Sequence, residues 1–135
     1  MPTFTNPRGN AEEARQALRS LAHATRTVDD PADVYDVLGA VTQALASMEQ
    51  TLHQLGTFHD NLQRRDIRPV VADSLRGGRS ASYQVSWELN RAAEMARQVG
   101  AAVSHAHELE ARISYSRPIP DLSASSATTT PGLSL

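Results

Sequence analysis

The sequence predicts an all-α fold: a long antiparallel helical hairpin with a shorter N-terminal helix, a coiled-coil-like helical bundle completed by dimerisation. Three observations predict it. Between Val34 and Leu62, apolar residues fall at Val34, Leu38, Val41, Leu45, Met48, Leu52 and Leu55, and His59 and Leu62 continue the register. Alternating steps of four and three make this a heptad seam about four repeats long. A matching seam runs through Val85, Leu89, Ala92, Ala96, Val99, Val103, Ala106, Glu110 and Ile113. Between and before the seams stand helix stop and start signals, Asp29-Asp30-Pro31 and Gly77-Gly78.

Residues 1–9 carry two Pro and one Gly among small polar residues and read as a flexible arm. Asn10 followed by Glu13 has the spacing of an N-cap, with two Glu suited to the first turn. A first helix over 11–28 then carries Ala14, Leu18, Leu21, Thr25 and Val28 in heptad steps. It is expected to fold back along the N-terminal half of the second. An Asp followed by Pro31 opens the second helix, 31–65, because proline's missing N–H has no partner in a first turn. Arg64 and Arg65 close it with positive charge at its negative end. Gly39 and Gly56 lie off the seam and either allow close approach of a neighbour or mark bends.

The connector is long for a helix–helix turn. Pro69 as a start, Val70, Val71 and Leu75 as an apolar side, and Gly77-Gly78 as a stop predict a short helix over 69–76. The last long helix spans 82–114, with Met95, Ala102 and Leu109 widening its stripe. The bundle domain is therefore 10–116, and the Ser/Thr/Pro-rich segment 117–135 is expected to be disordered.

Composition narrows the function. The chain has 135 residues, of which 40% are apolar and 4% aromatic, so its core is one thin domain of Ala, Leu and Val. A net charge of −2 argues against wholesale coating of nucleic acid but leaves room for a local basic patch. Cysteine is absent, which removes disulfides and thiolate metal sites. The first residues lack a signal-peptide pattern and no apolar run has membrane-spanning length, so the expected location is cytoplasmic, with no membrane partner. All thirteen basic residues are Arg. That usage, with abundant Ala, suits a high-GC bacterial genome and makes any single Arg a weaker functional signal.

Chemistry is sparsely represented. His53 and His59 are six apart on one helix and diverge, while His105 and His107 point to opposite sides. His59, on the seam, reads as a polar layer that sets register rather than as a metal ligand. No nucleophile–base set or carboxylate pair is placed by a motif, so neither an enzyme nor a cofactor is expected. Two features remain. Half of the hairpin lacks a third wall if the first helix is short, and there Leu52, Leu55, Phe58 and Leu62 are expected to face Tyr83, Val85, Trp87 and Leu89. Of these, Leu52, Leu55, Phe58, Leu62, Tyr83 and Trp87 are the candidate homodimer interface. The connector carries Arg64, Arg65, Arg68, Arg76 and Arg79 against Asp66 and Asp73, a surplus of three positive charges suited to an anionic partner. The expected function is a non-enzymatic helical interaction protein, a dimeric scaffold or adaptor for a protein partner. The alternative is a nucleic-acid-binding accessory protein that uses the Arg-rich tip.

Overall fold

A computed structural model describes residues 3–74 and 76–118. Three α-helices account for most of them: α1 (Pro7–Ala24), α2 (Pro31–Asp60) and α3 (Gly77–Glu110). A 3₁₀ turn at Gln63–Arg65 follows α2, and no strand forms among the described residues. The predicted tail from 119 onward lies outside the described residues.

The helix ends follow local chemistry. The Asn6 side chain accepts from the Gly9 N–H at 3.0 Å, so α1 starts at Pro7, four residues ahead of the expectation built on Asn10. At α2, the Asp30 carboxylate accepts from the Ala32 N–H at 2.9 Å and Pro31 takes the first helical position. The second helix closes at Asp60 rather than 65, and Arg64 and Arg65 fall in the 3₁₀ turn. Asp66 follows in the left-handed region at φ 55°, which ends the helical run and turns the chain into the connector.

Among its described residues the connector holds no helix. Val71 and Ser74 form an isolated bridge around a turn, and the Gly77 N–H donates to Ser74 Oγ at 2.9 Å. Gly77-Gly78 therefore begins α3 instead of ending a short helix before it. Crowding explains the choice: a Cβ on Gly78 would lie 2.0 Å from the Pro69 carbonyl oxygen. Only glycine lets the connector backbone cross the helix start at that distance.

α2 and α3 pack along their length, and no other pair of helices packs extensively. The pairing is antiparallel, since Gly39 meets His107, Leu45 meets Gly100, His53 meets Asn90 and His59 meets Ser82. The expectation that α1 folds back on α2 is overturned. Within α1 only Gly9, Asn10 and Leu21 are even half-buried, and Leu18 is 51% exposed. Its stripe offers just two large apolar side chains, Leu18 and Leu21. Burying both recovers a few kcal/mol at best, against the entropy of ordering the linker between Thr25 and Asp30.

The seam between α2 and α3 is built from small residues. Gly78, Ser82, Ser86 and Ala93 of α3 are buried, as is Gly56 of α2. A Cβ on Gly56 would stand 3.5 Å from the Ser86 carbonyl oxygen and 3.2 Å from the Asn90 amide nitrogen. Of the two roles considered for Gly56, close approach is the one it fills. The apolar core is accordingly slight: among the described residues only Leu62 and Ala93 are buried apolar side chains.

Two glycines give opposite tests of this packing. Gly78→Ala forces backbone to move and should lower stability by about 1–3 kcal/mol. Gly100→Ala meets only Leu45 Cβ, at an ordinary 3.6 Å, and should raise stability by up to about 1 kcal/mol through helix propensity. Denaturant unfolding of the two variants checks both signs.

Candidate functional site

The hairpin face and the hairpin tip are the two places where the fold leaves chemistry unused. The face follows from helix geometry. Leu55, Val85, Ala92 and Val99 each immediately precede an inward-pointing small residue, namely Gly56, Ser86, Ala93 and Gly100. One residue back is about 100° around the helix. Because α2 and α3 run antiparallel, that same rotation brings both stripes to one side of the hairpin. There Leu55 and Val99 are each 50% exposed, and Met48 and Val85 are also open to solvent. No described helix packs over them.

The opposite side carries polar groups, with the exposed Tyr83 and Trp87 toward the tip. The His53 ring shares a 2.9 Å hydrogen bond with Asn90 Oδ1, and Arg97 bonds Glu94 one turn away at 2.6 Å. That guanidinium holds the Glu94 carboxyl below the usual carboxylate range.

The six interface candidates do not form one cluster. Leu62 is taken up inside the hairpin at 6% exposure, and Leu52 is half-buried between the helices' edges. Leu55 lies on the apolar face. Phe58 is exposed at the tip end of α2, where Arg65 stands over its ring at 5.8 Å. Tyr83 and Trp87 are also exposed, but Trp87 lies two positions from Val85, about 200° around the helix. It therefore sits on a different side from Leu55 and Val85. Trp87 borders a shallow cleft lined only by α3 and Arg76.

At the tip, hydrogen bonds from the buried Ser82 and Ser86 hydroxyls tie α3 to α2, and Asn90 braces Ser86 from within α3. His59 Nδ1 and Ser82 Oγ are 2.9 Å apart, Ser86 Oγ donates to Asp60 at 2.6 Å, and Asn90 donates to the Ser86 carbonyl at 2.9 Å. Among the described residues no buried side-chain polar atom is left without a partner. His59 is thus the polar layer that the seam register implied, and its partner Ser82 came from a position the heptad reading left outside the last seam.

Beyond this layer opens a cleft of about 650 Å³. Arg68, Arg76 and Arg79 line it, with His59, Tyr83 and Asp66 among their neighbours. Of the five Arg singled out in the connector, the fold gathers these three; Arg64 and Arg65 remain exposed on the 3₁₀ turn outside it. None of the five pairs with a carboxylate among the described residues: the ion pairs there are Arg15–Glu12, Arg91–Glu88 and Arg97–Glu94. Arg79 is turned instead onto Tyr83, donating to its hydroxyl at 3.2 Å. No three His, Asp or Glu side chains converge as a metal site among the described residues, and no described helix is long and apolar enough to cross a membrane.

Ser82→Ala leaves His59 without its partner in a half-buried position. Stability should fall by about 1 kcal/mol, read from the denaturant midpoint, while the helix content stays unchanged. Comparison with known proteins finds no matching family model, curated protein or solved structure.

Proposed function

We propose that this protein is a non-enzymatic helical interaction protein. Two copies pair the apolar faces of their α2–α3 hairpins, and the dimer serves as a scaffold or adaptor for a protein partner. One observation carries this reading: the hairpin has almost no core of its own, while Met48, Leu55, Val85 and Val99 stand exposed on a single face. A chain whose described residues bury just two apolar side chains, Leu62 and Ala93, gains little from folding alone. Pairing face to face supplies the missing burial, and the stripe is self-complementary under a two-fold axis. The result is a four-helix bundle in which the polar side, with His53, Asn90, Glu94 and Arg97, faces water.

A second reading has its own support. Arg68, Arg76 and Arg79 outnumber Asp60 and Asp66 around one cleft and form no ion pair among the described residues. They favour an anionic partner at the tip, and a nucleic-acid-binding accessory protein would use them for phosphates. Dimerisation and phosphate binding use different surfaces and are compatible.

Leu55→Asp and Val99→Asp place charge on the proposed interface and should convert a dimer to a destabilised monomer in light scattering. A wild-type protein that stays monomeric at high micromolar concentration refutes pairing. For the tip, replacing Arg68, Arg76 and Arg79 together by Ala should reduce the log–log salt slope of duplex DNA binding by up to about 0.9 for each phosphate no longer neutralised. Binding by the triple variant with an unaltered slope refutes the role of these Arg.

A further inference from the structure

The first turns of α3 carry a second feature, which the dimer face does not use and which shares Arg79 and Tyr83 with the Arg-lined cleft. Arg79, Tyr83, Trp87 and Arg91 follow one another at steps of four and so lie along one side of the helix. The Arg79 guanidinium stands 5.7 Å from the centre of the Tyr83 ring, and that of Arg91 stands 5.6 Å from the centre of the Trp87 ring. Both rings remain open to solvent, Trp87 at 63% exposure. A single guanidinium occupies one face of a ring, and the rest of each aromatic surface has no described partner.

This aromatic row is continuous with the Arg-lined cleft. The cleft beside Trp87 and the one beside His59 share Arg76, Arg79 and Tyr83. An anion held by the three Arg therefore sits next to flat apolar surface, which is the pairing of groups within one nucleotide. We propose that the tip binds single-stranded nucleic acid, with Arg68, Arg76 and Arg79 taking backbone phosphates while bases stack on Tyr83 and Trp87. This binding mode rests on the second reading above, that the tip takes a polyanion, and specifies its form.

Single strands fit better than duplex for a physical reason. In a duplex the base faces are stacked on one another and closed to protein side chains, whereas a single strand offers every face for stacking. The aromatics here are paired with cations, as in grooves that bind single strands by charge and stacking together. Acidic groups border the site and reduce its charge without reversing it. Asp60 and Asp66 line the first cleft against three Arg, which leaves a surplus of one positive charge, and Glu88 lies 3.9 Å from Arg91.

Trp87 is the sole tryptophan and reports directly on stacking. The full-length protein is titrated with a mixed-sequence single-stranded oligonucleotide, the matching duplex, and heparin as a polyanion without bases. The single strand should bind more tightly than the duplex and quench Trp87 saturably, and heparin should bind without quenching. Tyr83→Ala and Trp87→Ala should each weaken single-strand binding roughly five- to 150-fold, and Trp87→Ala, which lies outside the Arg-lined cleft, should leave heparin binding within about twofold. Trp87→Phe, which keeps a ring, should retain most of the affinity. Both sites are exposed, and circular dichroism verifies that the variants fold. If the aromatic variants bind the strand as wild type does while the triple Arg variant loses it, stacking is refuted and the polyanion reading stands. If none of the three polyanions binds at low salt, both fall. If AMP competes as well as the oligonucleotide at equal nucleotide concentration, the ligand is a free nucleotide and the strand proposal is overturned.

Discussion

Close approach of α2 and α3 through small side chains is the constraint from which the rest of this structure follows. Gly56 against the Ser86 backbone and Gly100 against Leu45 bring the two helices nearer than a Leu-on-Leu seam allows. A side chain larger than Ala at these points would push the axes apart. The space between them holds Ser82, Ser86 and Ala93 together with part of the heptad stripes, Leu45, Leu62 and Leu89 among them. Leu55, Val85 and Val99, each one position before a small inward residue, are turned to the edge of the contact.

Two consequences pull in different directions. Displaced apolar residues become a face, so Leu55, Val85 and Val99 remain half open to water. Burying polar Ser82 and Ser86 instead requires hydrogen-bond partners, because an unpaired hydroxyl in that seam would cost more than the packing recovers. His59 and Asp60 supply them from α2. The hairpin is therefore held by close backbone approach and a polar layer, with Leu55, Val85 and Val99 left on an open face.

The tip inherits its shape from the same contact. The polar layer anchors the end of α2 to the start of α3, and the crossing of Pro69 over Gly78 folds the connector back onto that junction. Arg68 from the connector, Arg76 before α3 and Arg79 on its first turn are brought around one cleft by this route. Helix geometry then extends the Arg row into Tyr83 and Trp87. Charge and aromatic surface adjoin because of a register of four, which no tertiary contact had to create.

Much of this was legible in the residues. Heptad spacing determined two long helices, Asp30-Pro31 determined where the second begins, and the Arg surplus located the tip. Period is a local property, and the side chains that cap a helix act within one turn, so sequence carries both. The fine setting of each inward face was decided only by tertiary structure. On α2 most of the heptad positions are covered, but Leu55 yields to Gly56. On α3 Leu89, Ala96 and Val103 stay partly covered while Ser82, Ser86 and Ala93 are buried and Val85 and Val99 are exposed, because mutual approach depends on the small residues of both helices at once. The fate of α1 and the connector was likewise not local. α1 has a regular stripe, but Leu18 and Leu21 offer too little area to hold it on the hairpin. Gly77-Gly78, which reads as a stop in isolation, starts α3 because only there does the returning Pro69 backbone need the space that a glycine leaves.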